Sequence, residues 1–181
     1  EPRPTFVLNR GVYDAQGEPV SPGAPASLLK YSEEWPRNRL GLAKWLTDPR
    51  HPLTARVAAN RYWQLFFGSG ICETTDDLGS QGKLPSHPAL LDWLARWFIE
   101  NGWNTKALHK KIVMSATYRQ SSAAPAERMN DDPRNRLLSR GPSHRLTAEA
   151  IRNNSLAAGE ILSQAIGGPG DQSHDQIGHT G

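Results

Sequence analysis

"TARVAANRYWQLFFG", residues 54–68, decides what kind of protein this chain makes. Val57, Ala58, Ala59, Tyr62, Trp63, Leu65, Phe66 and Phe67 surround it almost completely. A helix apolar nearly all round belongs in the middle of a domain rather than on its surface. Thr54 is placed to cap its start and Gly68 to end it, so a helix is expected over residues 55–67. Its polar side is narrow: Arg56, Asn60 and Gln64 at i, i+4 and i+8, with Arg61 alongside. Burying those groups costs desolvation unless each finds a partner. The partners are either the acids just downstream or an anionic or hydroxyl-rich ligand. Arginine offers a planar fork to a carboxylate or sulfate, and amides suit sugar hydroxyls. With Arg119 at the end of a later helix, the candidate ligand-binding set is Arg56, Asn60, Arg61, Gln64 and Arg119.

Amphipathic patterns flank this segment on both sides. Asn38 is a cap for a helix over residues 39–47, with Leu42, Trp45 and Leu46 on one face. Ser86 caps a helix over residues 87–101, whose apolar face is Leu90, Leu91, Leu94, Trp97 and Phe98. Asn104 caps one over residues 105–119, with Trp103 stapled on Leu108. A short helical turn is expected over residues 135–139. A last helix follows Thr147, turns Ile151, Ala158 and Leu162 inward, and fades near Ile166. "PRNRL" occurs at residues 36–40 and 133–137, read as one Asn-capped helix start used twice.

The fold class is therefore mainly α: a bundle of about five helices with an N-terminal extended arm or short β-strands. Residues 1–36, rich in turn residues and proline after "TFVLNRGVY", form the arm and dock on upstream domains. Residues 37–166 are the helical domain, and residues 167–181 a flexible tail without apolar periodicity. The opening "EPRPTFVLNRG", with neither an initiator Met nor a signal peptide, reads as part of a longer polypeptide.

The connection "ETTDDLGSQGKLPSHP", residues 73–88, holds the candidate chemistry. Asp76 and Asp77 are the candidates for a catalytic acid or base, one of them pairing with Glu73 or with a residue from elsewhere in the longer polypeptide. Adjacent carboxylates fit a calcium loop poorly, because such a loop spaces its oxygen ligands and ends in a distal glutamate. On an extended chain the two also point to opposite sides, so they do not form a glycosidase pair by themselves. The competing reading is structural: the acids cap backbone N–H groups or pair with the arginines at residues 56 and 61.

Composition narrows the classes further. The 181 residues include six tryptophans, so the core is expected to be aromatic-rich. The formal charge of +3 comes from interspersed signs with no basic block, which argues against nucleic-acid binding. No apolar run approaches the ~20 residues needed to span a bilayer. The single cysteine, Cys72, lies in an apolar setting and reads as a small hydrophobe. The six histidines show no zinc spacing, so no metal site is expected, and His109 reads as a surface residue.

The long phrases "NRLGLAKWLTDPRHPLTARVAANRYWQLFFGSGICETTDDLGSQGKLPSHPALLDWLARWFIENGWNTKALHKKIVMSATYRQSS" and "DPRNRLLSRGPSHRLTAEAIRNNSLAAGEIL" closely resemble a family abundant in Planctomycetes, the domain of unknown function 1553. The resemblance covers about Thr5 to Gly168. It implies an exported, extracytoplasmic parent in which this piece is C-terminal, with haem c in a separate domain and no cofactor in this chain. It implies no reaction and supplies no catalytic residues. Two departures stand out: Cys72 where an aliphatic residue is expected, and a tail, "GDQSHDQIGHTG", unlike the family's continuation. The resulting expectation is a non-catalytic interaction or ligand-binding module that contacts upstream domains of its own chain and polysaccharide ligands. The alternative is a glycan-acting hydrolase using Asp76 or Asp77.

Overall fold

The structure is a computed structural model that describes residues 3–164 and 167. The chain is mainly α and divides into two units, Glu1–His144 and Arg145–Gly181. The first unit opens with β1 (Thr5–Leu8) and β2 (Gln16–Val20). Six helices follow: α1 (Arg39–Thr47), α2 (Thr54–Phe67), α3 (Pro88–Glu100), α4 (Thr105–Val113), α5 (Ala116–Arg119) and α6 (Ala126–Asp131).

β1 and β2 pair antiparallel, Thr5 opposite Val20 and Leu8 opposite Gln16, around a 3-10 turn at Asn9–Gly11. β2 is exposed throughout, and Phe6 alone in β1 is half-buried. The second half of the arm is tied to α1. The Trp45 indole donates to the Leu29 carbonyl at 2.7 Å, and the Tyr31 hydroxyl donates to Pro36 O at 2.8 Å. The Pro36 carbonyl and Tyr31 hydroxyl occupy the space a Cβ would need at position 41, so this close approach requires Gly41.

Asn38 caps α1 through the Leu40 and Gly41 amides, as its position predicts. Only Trp45 of the expected apolar face is buried; Leu42 and Leu46 are exposed. The centre of the unit is α2, which packs against α1, α3 and α4. It buries Ala55, Ala59, Asn60 and Trp63, while Leu65 faces outward. α3 meets it with Leu91, Leu94, Ala95 and Phe98. α4 adds Leu108 and Ile112, one turn apart. Each large apolar side chain buried this way contributes roughly 1.5–3 kcal/mol. Aromatic rings pack within and between helices: Trp63 stacks on Phe67 of the same helix at 4.0 Å, and Tyr62 meets the edge of Phe98 on α3 at 6.0 Å. His109 is a correction. It is wedged between Tyr62 at 4.9 Å and Phe66 at 5.3 Å rather than lying on the surface.

The start of α2 is also a correction. Thr54 is its first residue, not its cap. The acceptor is His51, whose Nδ1 takes the Leu53 and Thr54 amides at 3.2 and 3.1 Å and the Thr54 hydroxyl at 2.9 Å. Nδ1 must therefore be unprotonated, and the proton sits on Nε2, which is buried and unpartnered. Burial beside the Trp45 ring lowers the His51 pKa, with the Asp48 carboxylate opposing. Because the folded value lies below the unfolded ~6.5, the cap's contribution is complete above ~6.5 and is lost as pH falls through the folded value. His51→Gln should flatten that acid limb in chemical denaturation scanned across pH. At neutral pH His51→Ala should cost about 1 kcal/mol, the usual value of an N-cap.

Other boundaries shift for local reasons. α3 starts at Pro88 without a side-chain cap; the Ser86 hydroxyl and amide instead donate to Ile71 O at 3.2 and 2.8 Å. α3 ends in a Schellman turn. The Trp103 amide reaches Phe98 O at 2.9 Å, Gly102 is left-handed at φ +65°, and the Trp103 and Phe98 rings touch at 5.2 Å. Asn104 caps α4 through Ala107 N at 3.0 Å. The helix expected to run on to Arg119 breaks at Ser115. Its hydroxyl donates back to Ile112 O at 2.6 Å and accepts from Tyr118 N at 3.2 Å, ending α4 and starting α5. The helical turn expected at residues 135–139 is absent, and α6 forms upstream of it instead.

The second unit contains α7 (Ala148–Ala158), capped by the Thr147 hydroxyl on Ala150 N at 3.2 Å. It stops earlier than residue 166. Glu160 is left-handed at φ +59°, and Ile161 N bonds Leu156 O at 3.0 Å, again a Schellman ending. Ile151, Ala158 and Leu162 are exposed, contrary to the inward face expected of them. The expected tail lies outside the described residues, Gly167 excepted.

Candidate functional site

The polar stripe of α2 is largely consumed within the protein. Asn60, 0% exposed, donates to Cys72 O and accepts from Cys72 N, both at 2.9 Å. Its amide thus satisfies both backbone groups of a buried loop residue. Arg56 pairs through Nε with Asp92 on α3 at 2.6 Å and donates a further bond to Pro52 O. Arg61 pairs with Asp76 at 3.0 Å. Gln64 is half-buried, and Arg119 sits exposed at the end of α5, sharing no hydrogen bond or ion pair with the others. Arg56 and Arg61 line different cavities.

The aspartates lie in water. The Asp76 side chain is 91% exposed, and exposed Asp77 folds its carboxylate onto Gly79 N at 2.8 Å, a local turn. The connection itself is closed at its base. Thr74 Oγ1 donates to Asp77 O at 2.8 Å and accepts from Lys83 N at 2.9 Å, and the Cys72 thiol lies against Lys83 O at 3.1 Å. Cys72 is buried there as a small packing group. Among the described residues, no three His, Cys, Asp or Glu side chains are grouped as a metal site needs, and no helix is long and apolar enough to cross a membrane.

A different place concentrates charge. A cavity of about 630 Å³ opens beside the C-terminal end of α2, lined by Ser69, Glu73, Arg134, Arg136, Arg140 and His144 among others. The stacked Trp63–Phe67 pair floors a smaller hollow that shares Glu73, Arg134 and Arg136. Three arginines and one glutamate line the larger cavity, and of the three guanidinium groups that of Arg134 pairs with the Glu73 carboxylate.

The loop carrying the arginines is built to hold its shape. Buried Asp132 accepts from Arg136 N at 2.8 Å and Leu137 N at 2.7 Å. Arg140 clamps Asp132 O and Pro133 O at 2.8 and 2.9 Å. The Asn135 amide bonds Arg140 O at 2.8 Å and Arg140 N at 3.2 Å, and Gln120 holds Leu138 O at 2.9 Å. These bonds keep Asn135 at φ +52° and Leu138 at φ +56°. Asparagine tolerates left-handed backbone, whereas at Leu138 it costs on the order of 1–3 kcal/mol and persists because its neighbours over-determine it.

Sequence reading passed over Arg134, Arg136, Arg140 and His144. The available signal was "DPRNRLLSR", residues 132–140, with three arginines in seven positions, but its likeness to the first "PRNRL" suggested a helix start.

Glu73 joins the two loops. Its Oε2 pairs with Lys83 at 2.8 Å and its Oε1 with Arg134 at 3.0 Å. The Lys83 hydrogen bond foremost, helped by the charges of Arg134 and Arg136, lowers its pKa below the usual carboxylate value.

No curated protein and no solved structure is significantly similar to the chain. A family model does match, over residues 38–179. That span begins after the arm, later than the resemblance suggested, and runs through the tail that looked divergent. Covering well over half of its length, the match shows that the chain belongs to the family described as Protein of unknown function (DUF1553).

Proposed function

We propose that the chain is a non-catalytic binding module of a larger extracytoplasmic protein, and that an acidic polysaccharide binds in the cleft beside the end of α2. The observation that carries this is a cavity of about 630 Å³ lined by Arg134, Arg136, Arg140, His144 and Glu73, in which Arg140 clamps the loop that presents Arg134 and Arg136. Guanidinium groups bind carboxylate and sulfate oxygens through paired charge-assisted hydrogen bonds. A rigid loop presents them without a backbone ordering cost, so that only the side chains are ordered at the moment of binding. The hairpin of β1 and β2, with Val7, Val12 and Tyr13 exposed, supports docking on upstream domains of the parent chain. An extracytoplasmic setting, with haem in a separate domain, is supported by the domain company implied by the family resemblance.

Arg136 is the residue to change. Its side chain is exposed, and its hydrogen bond to Asp132 is made by the backbone, so truncation leaves the loop intact. Calorimetric titration of the 181-residue chain with a sulfated and a carboxylated oligosaccharide is expected to show binding that weakens with salt. Arg136→Ala should weaken it about tenfold, the loss of one charged hydrogen bond. No binding of either oligosaccharide, or equal binding of a neutral glucan, would refute the proposal.

A further inference from the structure

We infer that Glu73 is a built-in competitor for the cleft: its carboxylate occupies Arg134 as a ligand's acidic group would, and so determines how strongly acidic a ligand must be to enter. The inference rests on the reading of the cleft as an anion site.

The geometry separates this role from that of a structural clasp. Arg134 and Glu73 are 61 positions apart and meet at 3.0 Å on the wall shared by both hollows. The arginine side chain is 71% exposed and the glutamate 28% exposed, so the cation is the open partner. An ion pair with so exposed an arginine contributes little to folding. Its effect on an incoming anion is larger, because the ligand meets a guanidinium already engaged and a negative charge beside it. Lys83 holds the other carboxylate oxygen at 2.8 Å, which aims Oε1 at Arg134 and keeps Glu73 at the cleft wall. A ligand carboxylate at Arg134 therefore exchanges like for like and must also tolerate Glu73. A sulfate ester has a third oxygen with which to engage Arg136 at the same time.

The experiment titrates a sulfated and a carboxylated oligosaccharide into the wild-type chain and into Glu73→Gln, Asp76→Asn and Arg136→Ala. Glu73→Gln retains an acceptor oxygen and removes the charge. It is expected to tighten both oligosaccharides about fivefold, the size of one partly exposed ion pair, and to favour the carboxylated one more. Asp76→Asn removes the same charge from the exposed pair with Arg61 and should leave affinity unchanged. Thermal melting of Glu73→Gln should fall only slightly below wild type, because both its partners are exposed. Weaker or equal binding by Glu73→Gln, or equal tightening by Asp76→Asn, overturns the competitor role while the cleft stands if Arg136→Ala still weakens binding. If no protein binds either oligosaccharide, the cleft reading falls and the competitor with it.

Discussion

Asn60→Ala is expected to lose about 4 kcal/mol of folding stability, because the change strands two buried backbone groups at about 1–3 kcal/mol each. Both sit on Cys72, at 2.9 Å from the Asn60 amide, and the asparagine is 0% exposed, so water has no ready route to replace the bonds. A loss of that size is a large share of the ~5–15 kcal/mol that holds an ordinary domain together. Asn60→Asp sharpens the point. It keeps an acceptor for Cys72 N–H but sets an oxygen against Cys72 O, so it should be about as damaging despite its near-identical shape. Urea denaturation of both variants checks this. Stability within ~1 kcal/mol of wild type for Asn60→Asp would mean that the amide's donor bond is not needed.

Trp63→Ala is expected to cost about 3–5 kcal/mol, the range for removing a large buried aromatic. Trp63 is buried in the main core and stacks on Phe67 with ring centres 4.0 Å apart. Its loss opens a void that α3 and α4 must partly collapse into. Trp63→Phe keeps a ring against Phe67 and should recover more than half of the loss. The same denaturation series measures it, and a loss below ~1 kcal/mol for Trp63→Ala would show that the stack is not part of the cooperative core.

The helical core was legible because its signals are local and periodic. Leu91, Leu94 and Phe98 recur at helical spacing, and Asn38 and Asn104 cap the helices they precede. The misreadings arise where one side chain redirects the backbone without disturbing the pattern. Apolar periodicity continues through Ser115, yet its hydroxyl ends one helix and starts the next. His51 caps α2 from three residues before Thr54, a task that sequence assigns to short oxygen-bearing side chains.

The two copies of "PRNRL" make the limit plain. In the first, Asn38 Oδ1 takes the amides of Leu40 and Gly41 and a helix follows. In the second, Asp132 takes the amides of Arg136 and Leu137, and Asn135 turns left-handed to reach Arg140. An identical pentapeptide thus takes its shape from its surroundings, here Asp132 before it and Arg140 after it. The candidate cleft was hidden for the same reason, since its arginines converge only through that turn. Nothing in composition marks the division after His144 either.

The anchoring of Cys72 on Asn60 has an evolutionary consequence. With Ile71 O holding Ser86 and Thr74 holding Lys83, the long connection between α2 and α3 behaves as two independent spans. Residues 75–82 lie beyond the knot and are joined to α2 by the exposed Arg61–Asp76 pair. Closure entropy there grows only with the logarithm of length, so even a doubling adds about 0.6 kcal/mol. Insertions and deletions are therefore free to accumulate in that lobe without altering how α2 and α3 meet, whereas a single-residue change in length between Gly68 and Cys72 would misplace both.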